Sequence, residues 1–310
     1  MINAAERVEA IPCAHSLEAE VRELRLIAAH KPPYNRRSKY PERIVWLKLT
    51  AEAYPRLSVV RELQGDGAAY LGPFGSRRFA ELAAAGLYDA LPIRQCTHKL
   101  SLRTQTPACA LAELGRCPAP CEHRISAADY EAAAAAPFRA ATVGDPGPVV
   151  RGLMARIEAL AEVERYEDAA TLRGRLIAFL RTAIRQQRLA GLTGLPEVVA
   201  ARPAAAGGWE IAVVRHGRLA AAGVSPPRVH PQPTLDVVLA TAETVQPGPG
   251  PTPRATPEET ERILAWLERP ETRLVKTDIG WSSPADGAGR WRPFLVRAEA
   301  AAAVHPDRDG

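Results

Sequence analysis

Four of the five cysteines crowd into one short stretch, as Cys96, Cys109, Cys117 and Cys121, in the pattern C-x12-C-x7-C-x3-C. Four thiolates so close in sequence offer a soft donor set of the kind that tetrahedral zinc or an iron–sulfur cluster takes. "CPAPC" places two of them around stiffening prolines, and only Cys13 lies outside the group. The competing reading is four unrelated buried cysteines. His98 and His123 stand near the candidate ligands and are possible substitutes in a zinc site. Spacing alone leaves zinc and iron–sulfur open.

A second set of chemical groups lies near the N-terminus. "LEAEVRELRLIAAHKPPYN" (Leu17–Asn35) reads as a helix that stops at Lys31-Pro32, with Glu18, Glu20 and Glu23 on it and Asn35 closing the stretch. Ser16 is a candidate N-cap, and Glu18 falls in the first turn, where an acid is favoured. The segment that follows is basic, with Lys31, Arg36, Arg37, Lys39 and Arg43 against Glu42. Such a run reads either as a solvated loop or as a surface for a polyanion. Asp236, Asp278 and Asp286 near the other end do not form a spaced carboxylate set, so no second hydrolytic centre is expected there.

Elements of several kinds must position these groups. The chain has 310 residues, enough for two or three cored domains, with 46% hydrophobic and 24% charged residues and a net charge of +5. No apolar run approaches the ~20 residues of a membrane span, and the start lacks the basic-then-apolar pattern of a signal peptide. A cytoplasmic location with no membrane partner is the expectation, and cysteines in a reducing compartment argue against a disulfide framework.

Residues 1–35 read as two helices joined by a short strand at "VEAIPC". "RIVWLKLT" and "RLSVVREL" read as strands, and "GDG" between the latter and "AAYLGPFG" signals a hairpin. "SRRFAELAAAGLYDAL" and "SAADYEAAAAAPFRAA" read as helices, and "TVGDPGP" as a linker. From Val149 to Leu189, stripes such as Leu153/Ile157/Leu160 and Leu172/Leu176/Phe179 flank the polar "EVERYED", the pattern of an antiparallel helical hairpin. Beyond it, "EVVAARP", "GWEIAVVRHG" and "RLAAAGVSPP" read as a strand meander. "TLDVVLATAETV" and "EETERILAWLER" read as helices around the Pro/Gly-rich loop "QPGPGPTPRATP", and "TRLVKTDI" as a last strand. The tail from Ala300 onward reads as disordered. The fold class expected is α+β, in several domains.

Taken in order, "LEAEVRELRLIAAHKPPYN", "YPERIVWLKLT", "YPRLSVVRE", "YLGPFGS", "IRQC", "CALAELGRCPAPC" and "ERYEDAATLRGRLIAFL" resemble the excinuclease subunit UvrC, over more than half the chain. The C-terminal texture resembles a related bacterial set that joins a GIY-YIG nuclease domain to an exonuclease domain. The resemblance implies an N-terminally truncated GIY-YIG domain at 1–40 and a UvrC-like extension with the four-cysteine region at 41–130. A UVR helical hairpin at 145–190, a small α/β module at 191–300 and a tail at 301–310 complete the division. It implies a DNA-repair function related to nucleotide excision repair. Glu23 takes the place of the metal-binding glutamate, which would hold Mg²⁺, and Asn35 that of its supporting asparagine. For Cys96, Cys109, Cys117 and Cys121 the resemblance favours a four-iron, four-sulfur cluster over zinc. Arg36, Arg37, Lys39 and Arg43 are expected to bind DNA.

The hairpin is expected to bind a UvrB-type protein through Leu172, Leu176 and Phe179, with Glu167 and Arg173 at the rim. Gly174 stands where the family has Asp. Glu20 and Arg22 replace usual apolar residues, which implies looser packing of their helix. The first tyrosine is Tyr34, so the family's GIY and YIG tyrosines have no counterpart, nor has its helical arginine. The nuclease site is therefore expected to be incomplete in this chain and inactive alone. The alternative is a non-catalytic binding or metal-cluster structural protein.

Overall fold

The computed structural model describes residues 7–248 and 254–304. They fall into two compact units, one from Met1–Glu42 with Leu189–Ser282, the other from Arg43–Arg188 with Ser283–Gly310. Both units combine an antiparallel sheet with helices, as the α+β expectation requires.

The first unit is built on β4 (Val198–Pro203), β5 (Trp209–Arg215), β6 (Arg218–Val224) and β7 (Arg273–Thr277), in the order β6-β5-β4-β7. Successive side chains of a strand point to opposite faces, and in β4 and β5 both faces are covered. Val198, Ala200, Ala212, Val214 and Leu219 join Leu17 and Val21 of α1 (Ser16–His30) and Ile263, Leu264 and Trp266 of α9 (Pro257–Leu267). Val199, Ala201, Ile211 and Val213 pack on Val238 of α8 (Gln232–Ala240). The β5–β6 turn puts His216 and Gly217 at φ 47° and 76°, the two-residue hairpin geometry that suits strand twist. A Cβ on Gly217 would lie 2.8 Å from Thr193 Cγ2.

The N-terminal reading needs correction. Residues 7–14 form no strand, and Val8 and Ile11 are exposed, because no sheet face receives them. The described part shows one helix, α1; a helix within residues 1–6 would lie outside the described residues. Ser16 does not cap α1 but is its first residue, and the Glu18 carboxylate accepts the Ala14 N–H at 2.6 Å. His15 occupies the cap position, with Nε2 3.0 Å from the Ile211 carbonyl and its ring stacked on Trp266. Glu20 and Arg22 do not loosen the helix. They make pairs with Arg262 and Glu18, while Leu17, Val21 and an Arg25–Glu259 ion pair of 2.7 Å dock the other side.

The second unit has a sheet of β1 (Val45–Leu49), β2 (Leu57–Val60) and β3 (Ala69–Phe74). The order is β2-β1-β3, so the hairpin expected around "GDG" does not form: β3 crosses to the far edge of β1. The central strand takes two neighbours because both its faces are apolar, with Trp46 and Leu47 each 1% exposed. Gly72 of β3 is required there, since a Cβ would lie 2.6 Å from Trp46 Cε3.

The helices of this unit are α2 (Arg77–Ala90), the short α3 (Ala110–Glu113) and α4 (Ala127–Tyr130), α5 (Ala136–Val143), α6 (Gly147–Glu162), α7 (Tyr166–Thr193, ending in the first unit) and α10 (Arg292–Val304). A π-helical turn, Glu131–Ala135, joins α4 to α5. The expected linker "TVGDPGP" is not a domain boundary. Thr142 and Val143 end α5, Gly147 begins α6, and Gln187 Nε2 donates to the Thr142 and Gly144 carbonyls at 3.4 and 2.9 Å. The expected tail is helical through Val304, and residues 305–310 lie outside the described residues. The Pro/Gly-rich loop is described only in part, since residues 249–253 also lie outside.

Candidate functional site

The cysteine segment hangs from a fully buried arginine. Ile93 and Arg94 are 1% and 0% exposed. Arg94 donates from Nε to the Tyr54 carbonyl at 2.7 Å, and from Nη1 to the Cys96 and His98 carbonyls, both at 2.9 Å. The same Nη1 is 3.2 Å from Cys96 Sγ. Its Nη2 is 3.1 Å from Glu52 Oε2, an ion pair too far out of line to be a hydrogen bond. The Arg94 N–H donates to the Tyr130 hydroxyl at 2.9 Å, which in turn donates to the Pro55 carbonyl at 2.7 Å. A buried cation survives only when its charge is compensated; here Nε and Nη1 are hydrogen-bonded and Nη2 has the Glu52 carboxylate beside it.

From this anchor the chain loops out and is tied back. The Thr106 N–H donates to the Cys121 carbonyl at 2.9 Å, and the Ala108 N–H to Glu122 Oε1 at 2.8 Å. That backbone bond, helped by Arg124, holds the Glu122 carboxyl below its usual range. Cys109 begins the turn of α3, its carbonyl accepting from Ala112. "CPAPC" folds tightly through Ala119 and His123, both at positive φ. His123 Nε2 lies 3.1 Å from the Ser101 carbonyl.

All four cysteines are free thiols. Burial pushes the Cys117 thiol up; the Ala119 N–H pulls it down, and Cys96, Cys109 and Cys121 each push it further up. Each of the other three sulfurs thus acts on the charge of Cys117. They do not converge: among the described residues no group of three or more His, Cys, Asp or Glu side chains is placed to hold a metal ion. Donor type fits a thiolate-bound metal or cluster, but the sulfurs would have to close on it. Sequence reasoning found the four thiols and missed Arg94, whose only signal is an arginine following the buried Ile93 two residues before a cysteine.

Of the three glutamates on α1, Glu18 and Glu20 are engaged with Ala14, Arg22 and Arg262. Glu23 is exposed and makes no hydrogen bond or ion pair among the described residues. Asn35 is half-buried, with its N–H 3.3 Å from the Pro32 carbonyl. Among the described residues, no group of three or more His, Cys, Asp or Glu side chains placed to hold a metal ion forms at Glu23. Arg36 and Arg37 are exposed; Lys39 and Lys31 lie over the Tyr40 ring at 5.8 and 5.3 Å, and Lys31 also pairs with Glu42. Arg43 is exposed at the start of the second unit. Asp236, Asp278 and Asp286 are engaged separately, with Gln232, Lys276 and Arg290.

The helices expected to form a hairpin do so, as α6 and α7 around a three-residue turn in which Glu164 has φ 59°. The partner surface assigned to it is corrected. Leu172, Leu176 and Phe179 are 4%, 0% and 0% exposed and belong to this chain's own core, with Tyr130, Phe138, Val150 and Leu153. The stripes are narrow because this unit's own helices and sheet cover them. What α6 and α7 present outward is Val163, Tyr166 and Glu167, and a groove of about 270 Å³ lined by Met154, Ile157, Glu158, Arg173, Phe294 and Arg297.

The second unit is thus a small antiparallel sheet capped by helices, from which a four-thiol segment projects. Residues 44–139, which include all four thiols, match the family described as the UvrC/Cho excinuclease middle domain. The chain belongs to the UvrC-like nuclease family, to which this middle domain ties it. It is 40% identical over 309 residues to a Mycobacterium tuberculosis protein named "Putative bifunctional exonuclease/endonuclease", covering 97% of this chain and 47% of that one. It is 34% identical to the UvrABC system protein C of Haloarcula marismortui, over 57% of this chain and 30% of that protein. It is also 34% identical to the same protein of Citrifermentans bemidjiense, over 61% and 30%. The chain therefore spans about half, or less, of the length of these relatives. No solved structure matches it.

Proposed function

We propose that this chain is the DNA- and partner-binding portion of a UvrC-like repair nuclease, working in the cytoplasm on DNA damage of the nucleotide-excision type. The observation that carries the reading is the middle-domain match at 44–139, which includes all four thiols. No described helix is long and apolar enough to cross a membrane. Cys96, Cys109, Cys117 and Cys121 hold a four-iron, four-sulfur cluster, with zinc as the alternative ligand. Binding draws the sulfurs together, because thiolate ligation and local folding are coupled.

Arg36 and Arg37, exposed and without ion-pair partners among the described residues, contact DNA phosphates, with Lys39 and Arg43 contributing. Glu23, supported by Asn35, is one ligand of a GIY-YIG-type Mg²⁺ site. No group of three or more ligating side chains forms at Glu23 among the described residues, and in this reading the polypeptide does not incise DNA by itself. A UvrB-type protein docks on the outward side of α6 and α7, through Val163, Tyr166, Glu167 and Arg173 rather than through the buried stripe.

Two measurements test the reading. Anaerobically purified protein should contain iron and sulfide and lose both in Cys117→Ser. Tight zinc with no iron would replace the cluster, and no metal at all would remove the centre. Duplex affinity should fall steeply with salt, and Arg36→Ala/Arg37→Ala should lower the log–log slope by roughly 0.9 for each phosphate no longer neutralised. Salt-indifferent binding would count against a phosphate surface.

A further inference from the structure

Asp89, one residue before the end of α2, holds three arginines on one carboxylate. Its side chain is 5% exposed. Arg175 Nη1, from α7, donates to Oδ2 at 2.6 Å. Arg116 Nη2, just before Cys117, lies 3.7 Å from Oδ1, and Arg156 Nη1, from α6, lies 3.8 Å from the same oxygen. Arg156 Nη1 also donates to the Asp89 carbonyl. Three cations thus meet one anion, and Arg175 alone makes the hydrogen-bonded pair with the carboxylate.

The surplus has a direction. Arg175 is 31% exposed, whereas Arg116 and Arg156 are 51% and 55% exposed. The two outer guanidinium groups lie beyond hydrogen-bond distance of the carboxylate, and sharing one oxygen keeps them close together. Neutralising an acid at the negative end of a helix needs one cation, and Arg175 supplies it. The other two repel each other, and about half of each side chain is open to water. An anion with several oxygens relieves that repulsion and accepts from both planar forks, which is why arginine suits phosphate.

We propose that Arg116 and Arg156 form a clamp for a backbone phosphate of duplex DNA, with Asp89 and Arg175 as its fixed base. This rests on the DNA-binding reading above and adds to it a phosphate site in the second unit, whereas Arg36 and Arg37 belong to the first. The chemistry recognised is phosphate. The clamp sits on an open surface with half-exposed cations, so a single free phosphate gains little. A polyanion that presents phosphates repeatedly and releases counterions gains much more.

The test is the salt dependence of duplex affinity, read by fluorescence anisotropy with the full chain. Arg116→Ala/Arg156→Ala should lower the log–log slope by about 1.8, and each single variant by about 0.9. Arg116→Lys/Arg156→Lys should restore the slope, since charge and not fork geometry sets it. Thermal unfolding of each variant checks that Asp89–Arg175 still holds the helices. Wild-type slope in a folded double-alanine variant overturns the clamp and leaves the wider DNA reading standing. No duplex binding by the wild type overturns both. Inorganic phosphate, compared with chloride at equal ionic strength, should not displace the duplex. If it does so in the wild type and not in the double variant, the site serves free phosphate and the duplex assignment is overturned.

Discussion

Arg94 Nη1 lies 3.2 Å from the Sγ of Cys96, at the tip of a side chain with no solvent exposure. One buried guanidinium therefore fixes the place where the thiol segment leaves the core. It shapes the turn through two carbonyls and donates directly to the first sulfur.

Arg94→Met should destabilise the second unit by about 3 kcal/mol, the low end for breaking a buried pair because Glu52 keeps some solvent contact. Urea unfolding measures it. Arg94→Lys should not rescue, because a single ammonium cannot serve acceptors spread along Tyr54, Cys96 and His98. Recovery of wild-type stability by lysine would mean that charge alone matters.

Gly174 and Gly86 should respond in opposite directions to alanine. A Cβ on Gly174 meets nothing within 4 Å, so Gly174→Ala should stabilise α7 by about 1 kcal/mol. A Cβ on Gly86 lies 3.2 Å from both Cβ and O of Arg175, so Gly86→Ala should push α2 from α7 and destabilise. Shifts in the urea midpoint decide each sign. A Gly174→Ala protein less stable than wild type would show that the glycine is needed.

Phe179→Ala should cost about 3–5 kcal/mol in the isolated protein, the range for emptying a packed aromatic site. A residue reserved for a partner would cost little until the partner is added. Equilibrium unfolding without any partner separates the two, and a change below about 1 kcal/mol would return Phe179 to the docking surface.

Acid should weaken the first unit through Glu197. Burial pushes its carboxyl up, but bonds from Lys276 at 3.0 Å and Arg215 at 2.8 Å win and hold it below its ordinary 4.5. A carboxyl lowered on folding adds stability that is fully present above pH 4.5 and is lost as pH falls through the folded value. Wild type should therefore exceed Glu197→Gln in stability at neutral pH, with the gap closing in acid. A gap that stays constant with pH would exclude the linkage.

Local pattern sufficed for much of this chain. The four thiols, the strands with short apolar runs such as "EVVAARP", and the helical hairpin with its polar turn could all be read from residue type and spacing. Each depends on neighbours in sequence, and the period of the element reports them directly. Tertiary structure alone decided which surfaces meet. β3 pairs with β1 and not β2, because the strand apolar on both faces takes the centre of the sheet. The stripe of Leu172, Leu176 and Phe179 is a core and not a docking face, since amphipathicity shows that a helix must be covered and not by what. Arg94 and Asp89 became visible only when residues distant in sequence were brought within a few ångströms, because a charge is buried or clustered by its surroundings and not by its own type.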